Sequence, residues 1–185
     1  MSREKRSPTA PKHDIPLPVP FAMIWRREGY CMNITIQNHS EFLIAGYRTE
    51  TSLFTCRADI GRLWETFAAN KHSLFSLYGT RENFYGVMWK TGIAQDRYFY
   101  FIGIDLEKSD AHPKDFEVLQ IPSAKYAVAS IPSSQPALEA WTEFYETALP
   151  SAGFVPADGH VFDFEYYPHG AEYDYELWTP IQQRK

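Results

Sequence analysis

From Phe42 onward the chain spells out one order of elements twice. The first half reads as an apolar strand, Phe42-Leu43-Ile44-Ala45-Gly46-Tyr47-Arg48, a helix over about 59–75, and strands over 84–90 and 98–106. The second reads as a long strand over about 116–131, a helix over about 136–149, and strands over 161–167 and 173–181. An offset of roughly 77 positions lays Leu63-Trp64-Glu65-Thr66-Phe67 on Ala140-Trp141-Thr142-Glu143-Phe144 and the strand from Phe84 on that from Phe162, and self-similarity at a fixed offset signals duplication. The expected fold is therefore α+β: two strand-helix-strand-strand units, with antiparallel sheets, helices on one side and a ligand cleft on the other. Repeat one would cover about 32–106 and repeat two about 116–182, a length that one domain accommodates.

The helices follow from spacing and from stops. Ile60, Leu63, Trp64, Phe67 and Ala68 trace one apolar stripe, as do Leu138, Trp141, Tyr145 and Ala148. Ser133 or Ser134 is placed to cap the second helix, Pro136 suits its first turn, and Pro150 with Gly153 ends it. Residues 1–31 read as a disordered or extended arm, because Met1 to Pro20 mix Arg3, Lys5, Arg6 and Lys12 with five prolines. The arm holds no apolar run suited to a signal peptide or a membrane span.

Charge and cysteines narrow the partners. A net charge of −5 leaves no basic stripe for phosphates, so direct nucleic-acid binding is not expected, nor is a membrane. Cys31 and Cys56 are isolated, which fits a reducing cytoplasm. His13, His39, His72, His112, His160 and His169 form no metal-ligand pattern, and no nucleophile elbow or phosphate loop occurs; neither a metal nor a cofactor is expected.

Acids stand among aromatics in the last third, in Phe162-Asp163-Phe164-Glu165-Tyr166-Tyr167-Pro168 and in Tyr173-Asp174-Tyr175-Glu176-Leu177-Trp178-Thr179-Pro180-Ile181. Period-two alternation makes both segments strands, so Glu165 and Glu176 project from a sheet. A carboxylate held there by tyrosine and tryptophan is either solvated or placed in a cavity that takes a cation or a proton. Asp163, Glu165 and Tyr167 share one face, and Phe162, Phe164 and Tyr166 the other, which is expected to meet the helix. With Tyr85 and Trp89 from the equivalent strand of the first repeat and Trp178 beside Glu176, the expected cage is Tyr85, Trp89, Tyr167 and Trp178 around Glu165 and Glu176. Tyr98 to Phe101 read as a central strand buried on both faces.

Tyr98-Phe99-Tyr100-Phe101 before Gly103-Ile104, then Ile121-Pro122-Ser123-Ala124-Lys125-Tyr126-Ala127-Val128, Phe164-Glu165-Tyr166 and Glu176-Leu177-Trp178-Thr179-Pro180-Ile181 resemble the GyrI-like small-molecule-binding family, the effector-binding domain of multidrug-sensing regulators of the AraC and MerR classes. The resemblance runs from Met32 to Ile181. It implies a duplicated strand-helix-strand-strand fold, an aromatic ligand pocket between the repeats, an acid near its floor at Glu165, and a second acid at Glu176. Such regulators carry a helix-turn-helix before this domain, whereas here only the proline-rich arm precedes it, so a stand-alone form is expected. Three functions stay open. The first is non-catalytic binding of amphipathic, often cationic aromatic compounds by a sensor or sequestering protein. The second is hydrolysis of strained or electrophilic ligands such as cyclopropanoid natural products, with Glu165 and Glu176 as the catalytic pair. The third is a protein partner, a regulator or topoisomerase, that the domain modulates.

Overall fold

The computed structural model describes residues 32–78, 83–90, 92, 96–106, 116–159, 162–168 and 174–183; the arm expected over 1–31 lies outside them. Along the chain run β1 (Thr35–His39), β2 (Phe42–Ser52), α1 (Cys56–Tyr78), β3 (Phe84–Lys90), β4 (Arg97–Asp105), β5 (Glu117–Ile121), β6 (Ala124–Ile131), α2 (Ala137–Glu143), β7 (Phe154–Pro156), β8 (Asp163–Tyr167) and β9 (Tyr175–Gln183). A π-helical turn, Phe144–Ala148, and a last α-turn, Leu149–Ser151, continue α2. The long strand expected over 116–131 is two, broken at Pro122-Ser123; Pro122 has no N–H for a ladder, and the strands on either side pair at opposite ends of the sheet.

Eight strands lie in the order β1-β6-β9-β8-β3-β4-β2-β5, and β7 attaches to β9. All pairings are antiparallel. Each half runs first strand, last strand, middle strand, and the halves join where β3 pairs with β8. The sheet cannot lie flat. β1 and β2 sit near its opposite ends yet are joined through Ser40-Glu41, and β5 and β6 are joined through Pro122-Ser123. Such links reach only about 11 Å, so the sheet curls until its ends meet.

Curling gives the sheet two buried faces. On one, α1 sets Ile60, Leu63, Phe67 and Leu74 against Tyr98, Tyr100, Ile102 and Ile104. Beside it, α2 and its π-turn set Ala140, Trp141 and Phe144 against Ala127, Ala129, Tyr175 and Leu177. Ala68, expected on the α1 stripe, is exposed, because about 100° per residue carries it past the stripe's edge. At the start of α2 the N-cap is Pro136, with ψ 141° and no side-chain cap, rather than Ser133 or Ser134. Gly153, at φ +81°, ends the last turn as expected.

On the opposite face no helix packs among the described residues. Ile44, Tyr85, Val87, Phe101, Tyr126, Phe164 and Trp178 fill the inside of the curl, where Phe164 stacks on Trp178 at 5.4 Å and Phe42 reaches Phe164 at 6.0 Å. Phe162, Phe164 and Tyr166 therefore point away from the helices, and the face carrying Asp163, Glu165 and Tyr167 meets them, the reverse of the expected assignment. The rule that the apolar face seeks the helix presumes that the other face is wet. Here both are covered. Tyr98 to Phe101 alternate between the two cores, as a strand buried on both faces should.

Candidate functional site

Glu165 sits in the middle of β8, next to the junction with β3, under both helices, and is 2% exposed. Three side chains donate to it. Tyr167 Oη reaches Oε2 at 2.8 Å, Tyr100 Oη reaches the same oxygen at 3.3 Å, and Trp141 Nε1 reaches Oε1 at 3.0 Å. Each donor comes from a different element. Tyr167 is two residues along β8 and so on the same face, Tyr100 rises from the centre of β4, and Trp141 points down from α2.

Tyr100 belongs to β4 and must cross β3 to reach the acid. It passes over Gly86, which pairs directly with Glu165. A Cβ at position 86 would fall on the Tyr100 hydroxyl and lie 3.1 Å from Glu165 Oε2. Glycine here makes room for the hydrogen bond, a close-approach role rather than a turn.

Burial is the largest influence on the Glu165 carboxyl and lifts its pKa above the usual range, while its three donors pull the other way. No basic side chain among the described residues acts on it. Burial followed by the Glu165 charge also pushes the Tyr100 and Tyr167 hydroxyls well up, so both stay protonated and serve as donors. The arrangement is an acid held by neutral aromatic donors, with no counter-ion among the described residues.

Rings enclose this acid. Phe84 stacks on Tyr167 at 4.8 Å, and Trp64 from α1 meets both edge-on, at 5.6 and 5.8 Å. Tyr175 stacks on Tyr167 from the other side at 5.6 Å. Trp64, Phe84, Met88, Tyr145 and Tyr167 are each only half-buried, and Met88 touches the clusters under both helices. These side chains form the seam between α1 and α2.

The six residues expected to share one cage fall on two faces. Glu165 and Tyr167 lie together on the helix face. Tyr85, Trp89, Trp178 and Glu176 lie on the other. There Trp178 Nε1 donates to the half-buried Glu176 Oε2 at 2.9 Å, and Trp89 packs with Phe99 and Phe162. Burial, then Asp105, pushes the Tyr85 hydroxyl up, with smaller contributions from Tyr166 and Glu176. Glu176 pairs with Tyr166, whose side chain points opposite to that of Glu165. The sheet thus separates the two acids, and the acid-and-water pairing that two-carboxylate hydrolysis requires is not formed. Sequence reasoning missed Trp141 and Tyr100 as partners of the acid. The signal for Trp141 was its repeat equivalence to Trp64, since both indoles turn toward the same centre. Among the described residues no three His, Cys, Asp or Glu are grouped to hold a metal, and no helix is long and apolar enough to cross a membrane.

A curled antiparallel sheet with two helices over a buried, aromatic-held carboxylate has the form of an effector-binding domain. The Cass2 family, described as integron-associated effector binding protein, matches residues 35–181, and the chain belongs to that family. Its fold is shared with VCH_CASS2, an integron cassette protein from the mobile metagenome of Vibrio cholerae, at 19% identity and a TM-score of 0.62 over 80% of this chain and 95% of that one. It is also shared with SAV2435, solved bound to tetraphenylphosphonium, at 17% identity and a TM-score of 0.64 over 82% of this chain and 94% of that one. The C-terminal domain of EcmrR matches at 8% identity and a TM-score of 0.56, covering 84% of this chain and all of its own length, 100%. No curated protein matches the chain in sequence.

Proposed function

We propose that the protein binds amphipathic, often cationic aromatic small molecules in the seam between α1 and α2, with Glu165 as the buried counter-charge, and acts as a sensor or sequestering protein. The observation that carries this reading is a carboxylate 2% exposed, held only by Tyr167, Tyr100 and Trp141, with no basic partner acting on it among the described residues. An unpaired buried charge costs several kcal/mol, and neutral donors offset only part of that. A ligand cation recovers the remainder. The half-buried rings of Trp64, Phe84 and Tyr145 supply faces for stacking, each such contact adding about 0.5–1.5 kcal/mol beyond area burial.

Glu165 is closed to solvent, so a ligand reaches it by parting the side chains above it. Met88, unbranched and half-buried between the helices, and the π-helical turn that follows Trp141 give that seam the means to yield. Membership of an effector-binding family and the tetraphenylphosphonium complex of SAV2435 support the same ligand class. Calorimetric titration of the wild type and of Glu165→Gln with tetraphenylphosphonium tests the reading: wild-type binding that the substitution weakens sustains it, and equal affinities reject it.

A further inference from the structure

Two residues before Glu165, on the same strand and the same face, stands Asp163, a carboxylate with no part in the site described above. The residue is half-buried, and its Oδ1 is sealed from solvent without a hydrogen-bond partner. The helix above keeps step with both acids. Trp141 donates to Glu165, and Tyr145, one turn later and stacked on Trp141 at 5.5 Å, stands over Asp163. Four helical residues advance about 6 Å and two strand residues about 6.6 Å, so a helix running against the strand roofs alternate strand positions in register.

The Tyr145 and Thr179 hydroxyls hydrogen-bond the Asp163 carboxyl and stabilise its charge. They also bond each other at 3.2 Å, and Met88 pairs across the ladder. Burial lifts the Asp163 carboxyl to about 6, against Tyr145, Thr179 and the field of Lys90, so it is mostly ionised at neutral pH. Lys90, exposed at the end of β3, is a cation near enough to act on it. The seam thus offers a second carboxyl group next to the first, one strand repeat away.

We propose that Asp163 is a specificity-determining second anchor, selecting with Glu165 aromatic ligands that carry two cationic centres roughly 7 Å apart, the spacing of alternate residues on a strand. This inference rests on the reading of Glu165 as the counter-charge. Asp163 discriminates between ligands of one and two charges, whereas Glu165 serves both.

The test compares benzyltrimethylammonium with p-xylylene-bis(trimethylammonium), which has the same ring and a second ammonium at about the required spacing, by calorimetry at neutral pH. The wild type should bind the dication about tenfold more tightly than the monocation, as one further charge-assisted contact allows. Asp163→Asn, of the same shape, should abolish that advantage and leave monocation affinity unchanged. Lys90→Met, an exposed change that removes the competing cation, should increase the advantage. Equal wild-type affinities for the two probes, or an Asp163→Asn variant that weakens both alike, overturns the inference and leaves the Glu165 reading intact. If neither probe binds the wild type and Glu165→Gln leaves tetraphenylphosphonium affinity unchanged, the Glu165 reading fails and this inference falls with it.

Discussion

Replacing Glu165 by glutamine isolates the charge at the centre of the site. The amide fits the existing geometry: its oxygen accepts from Trp141 Nε1, which can only donate, and its NH2 faces the Tyr167 and Tyr100 hydroxyls, which can turn to accept. Shape and packing are therefore kept while the charge is lost. A ligand cation then loses one charge-assisted contact in a water-excluded site, worth about 1–3 kcal/mol, or roughly 5- to 150-fold in affinity. Triphenylphosphine oxide, a neutral compound with aryl groups of the same kind, loses nothing by this argument. The free protein should also report the change. Burial lifts the Glu165 carboxyl, so between its ordinary pKa and the lifted one the unfolded chain has released a proton that the folded protein still holds. Wild-type stability must fall, relative to Glu165→Gln, as pH rises through that window, and the difference must vanish at low pH. Calorimetry with the two ligands and urea denaturation across that pH range measure both effects. Unchanged tetraphenylphosphonium affinity in the variant, or a stability difference that grows toward low pH, refutes the reasoning.

Cation affinity in the wild type should rise with pH through the lifted Glu165 pKa, because the ionised form is the one that pairs. Tyr167→Phe should move that rise to higher pH, and by more than Tyr100→Phe, since the 2.8 Å donor holds the charge more strongly than the 3.3 Å one; titrations at several pH values check the order. Gly86→Ala should destabilise the protein by about 1–3 kcal/mol, because its Cβ meets the Tyr100 hydroxyl, and adding Tyr100→Phe should recover part of the loss; urea denaturation of the double-mutant cycle reads the coupling. Trp141→Phe should keep most of the packing yet lose the donor to Oε1, lifting the Glu165 pKa further, which the same pH titrations detect.

Much of the architecture is written locally. Periodicity located both helices, the ends of β3, and the double burial of Tyr98 to Phe101. Alternation alone put Glu165, Asp163 and Tyr167 on one face of β8, because a strand reverses its side chains at every residue. Alternation sorts residues into two sets, however, without saying which set a helix will cover. That was decided by the curl of the sheet, which buries Phe164 against Trp178 and Phe42 on one side and Glu165 beneath Trp141 on the other. The curl depends on β1 pairing with β6, far along the chain, and on two-residue corners joining strands near opposite ends of one ladder. The partners of the acid are equally non-local. Tyr100 lies 65 residues from Glu165 and reaches it only because Gly86 leaves the space between them empty. A sequence states which side chains are available and which neighbours share a face. Only the closed sheet determines which of them meet, since that depends on contacts whose closure entropy is met by the assembled core and by no single segment of it.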